Sequence, residues 1–248
     1  MARALSNKNV CDASFEVAPF DGRWLAAIGK PELRGVWLIF GESGSGKTHF
    51  ALELLAYLSR FVDKVAYDTV EQGMSLSFQL AWNDAGMHAI GNKVIVYNRD
   101  QLPALCERLR KRKSPQIVVI DSITALSGFT RTVFTKLTEE FPDKLFIFIA
   151  HEEGGRPYPA IARHVRKLSE VKIRVEGFKA FTTTRFATSE GGGSEFVIWP
   201  EGAAKYYADI LKTNNHIKTE KHGNNHCTAA EMAAPEVSHT VHPPWHER

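Results

Sequence analysis

Residues 41–48 read Gly41-Glu42-Ser43-Gly44-Ser45-Gly46-Lys47-Thr48, and no other stretch restricts the fold of this chain as tightly. Every fixed position of the phosphate-binding pattern G-x-x-x-x-G-K-[ST] is met. Glycines at these places let the backbone curl closely enough for successive N–H groups to converge on an anion. The flanks agree with the loop. Val36 to Phe40 is an apolar run that reads as a buried strand, and "THFALELLAYLSRF" sets Phe50, Leu52, Leu55 and Leu58 at helical spacing. A helix leaving the loop brings the partial positive charge of its N-terminus to the anion. In that arrangement Gly41 through Thr48 cradle the phosphates of ATP. Lys47 reaches the β- and γ-phosphates, and the Thr48 hydroxyl is offered to Mg²⁺.

Beyond the loop the chain alternates between near-continuous apolar runs and amphipathic stretches. Strands are expected at 64–68, 93–98, 116–121 and 144–151, with helices at 75–87, 102–112 and 132–141. Such alternation predicts an α/β fold with a mostly parallel sheet covered on both faces. From Val171 the pattern changes to "VKIRVEG", "KAFTTTRFA" and "SEFVIWPEG", closely spaced strands joined by short turns. These read as antiparallel hairpins added to the sheet edge. The expected organisation is an N-terminal extension packed on the core (1–32), an ATPase domain (33–202) and a polar tail without regular order (203–248).

Composition narrows the function classes. A chain of 248 residues with 44% hydrophobic content can bury a full core as one domain with extensions. The formal charge of +3 is too small to indicate nucleic acid by itself, so any cationic surface must be local. No apolar run approaches the roughly 20 residues of a membrane span, and "MARALSNKNVCDAS" lacks the hydrophobic segment of a signal peptide. The cysteines Cys11, Cys106 and Cys227 are odd in number and unrelated in spacing, which suits a reducing, cytoplasmic setting. The tail carries His222, His226 and Cys227 without a second Cys/His cluster at zinc spacing, so a solvated segment is the simpler expectation.

Three carboxylates stand where they could serve the phosphate loop. Asp121 ends the apolar strand "QIVVID", where an aspartate either caps the next helix or holds the water shell of Mg²⁺ beside Thr48. "AYDTVEQG" ends another strand in Asp68 and Glu71. ATP hydrolysis needs a group that orients the attacking water, and Glu71 is the first candidate, with Asp68 the second.

The phosphate loop, "YDTVEQG", "IVVIDSITAL" and "IFIAHEEGG", in this order and spacing, resemble the RecA-like ATPase core. RecA and RadA recombinases and DnaB-type replicative helicases share that core, and the likeness spans residues 33–202. It implies that Glu71 is the catalytic base and that His151, ending the strand after Asp121, senses the γ-phosphate. "KAFTTTRFATSEGGG" is similar to the hairpin that carries a KNRFG-like stretch in RadA and DnaB proteins, which implies that Arg185 acts as an arginine finger in a neighbouring subunit. Thr183 stands where the related stretch has lysine. "GGRPYPAIARHVRKLSEVKIR" follows the sensor strand at the place of a DNA-contacting loop. Its cations Arg156, Arg163, Arg166 and Lys167 are therefore expected to meet backbone phosphates; a solvated helix face is the alternative. The expected protein is an oligomeric ATPase, ring or filament, that binds single-stranded DNA in recombination, repair or replication. A KaiC-like ATP-driven switch without DNA is the second reading. The short stretch between Asp121 and Leu145 leaves little room for a long first DNA loop.

Overall fold

The computed structural model describes residues 4–221, with the backbone alone from 213 to 221. In chain order the helices are α1 (Asn7–Cys11), α2 (Gly22–Ile28), α3 (Lys47–Leu58), α4 (Leu76–Asp84), α5 (Leu102–Leu109), α6 (Arg131–Glu140), α7 (Ala160–Leu168) and α8 (Pro200–Lys221). The strands are β1 (Gly35–Gly41), β2 (Val65–Thr69), β3 (Val94–Tyr97), β4 (Ile117–Asp121), β5 (Leu145–Glu153), β6 (Arg156–Tyr158), β7 (Val171–Glu176), β8 (Lys179–Thr184) and β9 (Glu195–Val197).

The strands form one sheet in the order β3-β2-β4-β5-β1-β7-β8-β9, with β6 paired to β5. From β3 to β7 every neighbouring pair is parallel, whereas β7-β8, β8-β9 and β5-β6 are antiparallel. This is the α/β architecture expected from the sequence, antiparallel edge included. Successive strand residues face opposite sides, so each buried strand contributes to two cores. Trp37, Ile39, Tyr67, Val119, Ile147 and Ile173 pack under α2, α3 and α4 with Trp24, Phe50, Leu54 and Phe78. Leu38, Phe40, Val118, Ile120, Phe146 and Phe148 pack under α5, α6 and α7 with Leu105, Phe134 and Val165. Burial of each such side chain contributes about 1.5–3 kcal/mol relative to exposure.

Local rules set the element ends. Ser75 accepts from the Phe78 N–H at 3.2 Å and starts α4; Thr130 accepts from the Val133 N–H at 3.3 Å and starts α6. The helix expected over 75–87 stops at Asp84, because Gly86 turns left-handed (φ 66°) and the chain continues as a 3₁₀ segment, Met87–Lys93. The boundary drawn after residue 202 falls inside α8, whose N-terminal residues Gly202 and Ala203 are buried. Residues 222–248, with His222, His226 and Cys227, lie outside the described residues. Among the described residues no helix is long and apolar enough to cross a membrane.

Candidate functional site

The carboxyl ends of β1, β2, β4 and β5 share one edge of the sheet. Gly41 is level with His151 and Thr69 is level with Asp121, so the ends of these strands deliver their side chains to one place. The phosphate loop closes over that edge as it joins β1 to α3. At Gly41 a Cβ would stand 2.1 Å from the Val175 carbonyl oxygen on β7, so only glycine lets the loop start this close to the sheet. Gly46 at the start of α3 has φ 100°, the left-handed region that favours glycine.

Among the described residues, the N–H groups of Gly44, Gly46, Lys47 and Thr48 donate to no backbone carbonyl. The Ser45 hydroxyl oxygen is buried without a hydrogen-bond partner. A ring of undirected donors at a helix N-terminus is the arrangement that takes a phosphate. Lys47 is buried, and its ammonium donates to the carbonyls of Gly41 at 2.9 Å and Glu42 at 2.6 Å. Burial lowers its pKa, opposed by the carboxylates of Asp121, Glu71, Glu152 and Glu42. The loop thus keeps a cation at its mouth among acids.

Asp121 is buried beside this cation. Its Oδ2 accepts the Thr48 hydroxyl at 3.4 Å and the Tyr67 phenol at 2.5 Å. Burial raises the Asp121 pKa, while Tyr67, Lys47 and Thr48 favour the carboxylate. Among the described residues no group of three or more His, Cys, Asp or Glu could hold a metal by itself. The Thr48–Asp121 oxygens nevertheless suit Mg²⁺, which takes one or two protein oxygens and completes its shell with phosphate and water. The fit therefore depends on a bound phosphate.

Glu71 follows β2, and its backbone N–H donates to the Asp121 carbonyl at 3.0 Å. Its carboxylate meets His151 Nε2 at 3.0 and 3.1 Å and accepts the Ser122 hydroxyl. The His151 hydrogen bond is the largest of the causes that hold the Glu71 pKa down to about 2, with Ser122 and Lys47 adding to it against burial. Lys47, Thr48, Asp121, Glu71 and His151 therefore come together. Tyr67 and Ser122 join them without standing out in the sequence. Ser122 follows the strand-end aspartate directly, and Tyr67 is a polar-tipped residue in an otherwise apolar strand.

Asp68 does not join them. It is fully buried on the opposite face of β2, where its Oδ1 accepts the Asp100 N–H at 3.2 Å and its Oδ2 has no partner. Burial pushes its pKa up to about 7.

Arg185 is exposed at the other end of the sheet. Its N–H donates to the Glu170 carbonyl at 3.0 Å, and the Glu170 N–H donates to the Val36 carbonyl at 2.9 Å. Val36 is five residues from Gly41 along β1, about 17 Å at strand rise. Arg156 lies on β6, whose Tyr158 is level with His151 on β5. Arg163, Arg166 and Lys167 are exposed on α7 at i, i+3, i+4 spacing, opposite the buried Ala162 and Val165. The Arg166 guanidinium stands 5.1 Å from the Phe40 ring centre. Arg174, from the same basic stretch, is held by Glu152 at 2.8 Å and Glu176 at 3.0 Å. In the run Glu107–Lys113, Arg108 pairs with Asp100 and Arg110 pairs with Glu140.

No family model matches the chain, and no curated protein matches it in sequence. Two solved structures are similar in fold. The ATPase domain of a DnaB-type helicase aligns at 15% identity with a TM-score of 0.46, covering 68% of this chain and 83% of that one. The flagellar accessory protein FlaH from Methanocaldococcus jannaschii aligns at 14% identity with a TM-score of 0.47, covering 65% and 84%. At this level nothing beyond fold is carried over. The chain has a RecA-like P-loop fold. Its own coordinates set the loop between β1 and α3, the Asp121 strand two positions away, and the His151 strand between them.

Proposed function

We propose that this chain is a Mg²⁺-dependent P-loop ATPase that acts on DNA as an oligomer. One observation carries the ATPase reading: Lys47, the Thr48–Asp121 pair and the Glu71–His151 pair meet at a loop whose N–H groups, among the described residues, donate to no backbone carbonyl. Bound Mg²⁺ would supply charge neutralisation between the phosphates.

The chain's own residues supply the rest. The loop N–H groups and Lys47 bind and orient the triphosphate, and Lys47 offsets charge that develops on the transferred group. Glu71, ionised at neutral pH, accepts a hydrogen bond from water and aims its oxygen at the γ-phosphate. A pKa of about 2 makes it a poor proton store while His151 holds it, since a general base works best near the operating pH. His151 can thus respond to the γ-phosphate and to Glu71 together. Arg185 lies too far from its own loop to reach it, so any stabilisation it gives falls on a second copy. That reading makes turnover depend on assembly.

The DNA reading is supported by the exposed cations of α7 and β6, attached through β5 to the strand that carries His151. Fluorescence anisotropy with labelled single-stranded DNA, with and without ATP and Mg²⁺ and across salt, tests it. Binding should weaken with a log–log slope of about −0.7 per phosphate contacted. Replacing Arg163 and Lys167 by alanine should weaken it and flatten that slope. Nucleotide binding and hydrolysis without DNA binding at any salt would leave an ATP-driven switch that does not use DNA.

A further inference from the structure

Tyr67 brings a phenol to the site from inside the core. Its ring is completely buried on the α3 face of the sheet, packed against Phe78 with ring centres 5.4 Å apart. Its hydroxyl reaches a single acceptor among the described residues, Asp121 Oδ2. A phenol sunk in an apolar core needs a partner. A carboxylate is an unusual one, because its charge must be desolvated as well.

The geometry of Asp121 gives the reason. Its Oδ2 receives both hydroxyls, whereas Oδ1 accepts no hydrogen bond among the described residues. The Thr48 contact, at 3.4 Å, is longer than the roughly 2.5–3.0 Å of a formed O–H···O bond. Tyr67 is therefore the one strong anchor on the carboxylate among the described residues. Fixing Oδ2 fixes the plane of the group, and with it the direction of Oδ1. It also leaves the Thr48 hydroxyl uncommitted.

We propose that Tyr67 is a positioning residue for the cation site: its phenol orients Asp121 so that Oδ1 and the Thr48 hydroxyl are presented together to a hydrated divalent cation. The proposal rests on the Mg²⁺–nucleotide reading above and deepens it. Partners of this kind, one step removed from a metal, change metal affinity by about 10- to 100-fold when removed.

Tyr67→Phe removes one oxygen and keeps the ring against Phe78, so the fold is retained. The probe is an N-methylanthraniloyl-labelled ADP, titrated onto wild type and variant in EDTA and over a series of Mg²⁺ concentrations. In EDTA the two proteins should bind it equally. The Mg²⁺ concentration for half of the metal-dependent gain in affinity should rise by about 10-fold or more in the variant. Combining Tyr67→Phe with Asp121→Asn should add nothing to Asp121→Asn alone, because the phenol acts only through that carboxylate. An unchanged Mg²⁺ midpoint, an equal loss of affinity in EDTA, or an additive double variant would overturn the proposal while leaving the ATPase reading intact. A wild type that binds no nucleotide under any condition would overturn both.

Discussion

Replacing Asp68 by asparagine should change how stability depends on pH, and the amount follows from where the residue sits. Asp68 is completely enclosed on the α5 face of β2, with one oxygen on the Asp100 N–H and the other on nothing. Arg108 lies near but is paired to Asp100. Burial without a cationic partner favours the protonated acid, and the pKa rises from 3.8 to about 7. The sign follows from proton counts. Between those values the folded chain keeps a proton that the unfolded chain has released, so stability falls as pH rises through the window and is level above it. The interval from 3.8 to about 7, at about 1.4 kcal/mol per pH unit, comes to about 4 kcal/mol of stability lost by about pH 8. Asparagine is never charged and keeps the acceptor for the Asp100 N–H. Urea unfolding of both proteins at half-unit steps from about pH 4.5 to 8 is the assay. Histidines titrate equally in the two, so the difference curve isolates residue 68. The variant should gain on the wild type steadily toward neutral pH and then hold its lead. Parallel curves across the range would refute the claim that this carboxyl is folded into the core as an acid.

Lys47→Ala should abolish ATP hydrolysis and leave the melting temperature near wild type, because the ammonium is held by loop carbonyls and not by the core; normal turnover would remove the phosphate-loop assignment. Glu71→Gln should still bind ATP while turnover falls by about 10²- to 10⁴-fold, the range for losing general-base catalysis. Unchanged turnover would move the water-orienting role elsewhere. Arg185→Ala and Lys47→Ala proteins should each be inactive, yet activity should return on mixing, since some interfaces then pair an intact loop with an intact Arg185. Co-assembly without recovered activity would make Arg185 an ordinary strand residue.

The phosphate loop, the parallel core and the edge hairpins are legible in the sequence because each depends on local rules. Glycine spacing, apolar run length and turn residues carry that information directly. Glu71, Asp121 and His151 are legible because they end apolar runs, and strand ends in such a sheet gather at one edge. The end of α4 is not, since Gly86 punctuates an apolar pattern that continues through Met87. Nor is the continuation of α8 past residue 202, whose polar composition resembles a tail. The commitment of Arg174 to Glu152 and Glu176 is hidden because the basic stretch from Arg156 to Arg174 looks uniform in sequence, and only the fold separates its members.

Tyr67 and Asp68 show which kind of information the sequence withholds. They are adjacent, both polar-tipped and both completely buried, yet one enters the site and the other is turned away from it. The difference is a parity. Residues level across parallel strands face the same side, and Tyr67 is level with Val119, itself level with Ile147 and so with Trp37, all in the core under α3. Asp68 is level with Ile120, Phe148 and Leu38, in the core under α5, α6 and α7. Asp121 is level with Ile149, a residue of the α3 side, so the odd residues of β2 reach it and Asp68 does not. Period-two alternation within a strand is plain in the sequence. The register that ties the alternation of β2 to that of β4 and β1 is a property of pairing between strands. A shift of one residue in that register would bring Asp68 to the loop and send Tyr67 to the far core.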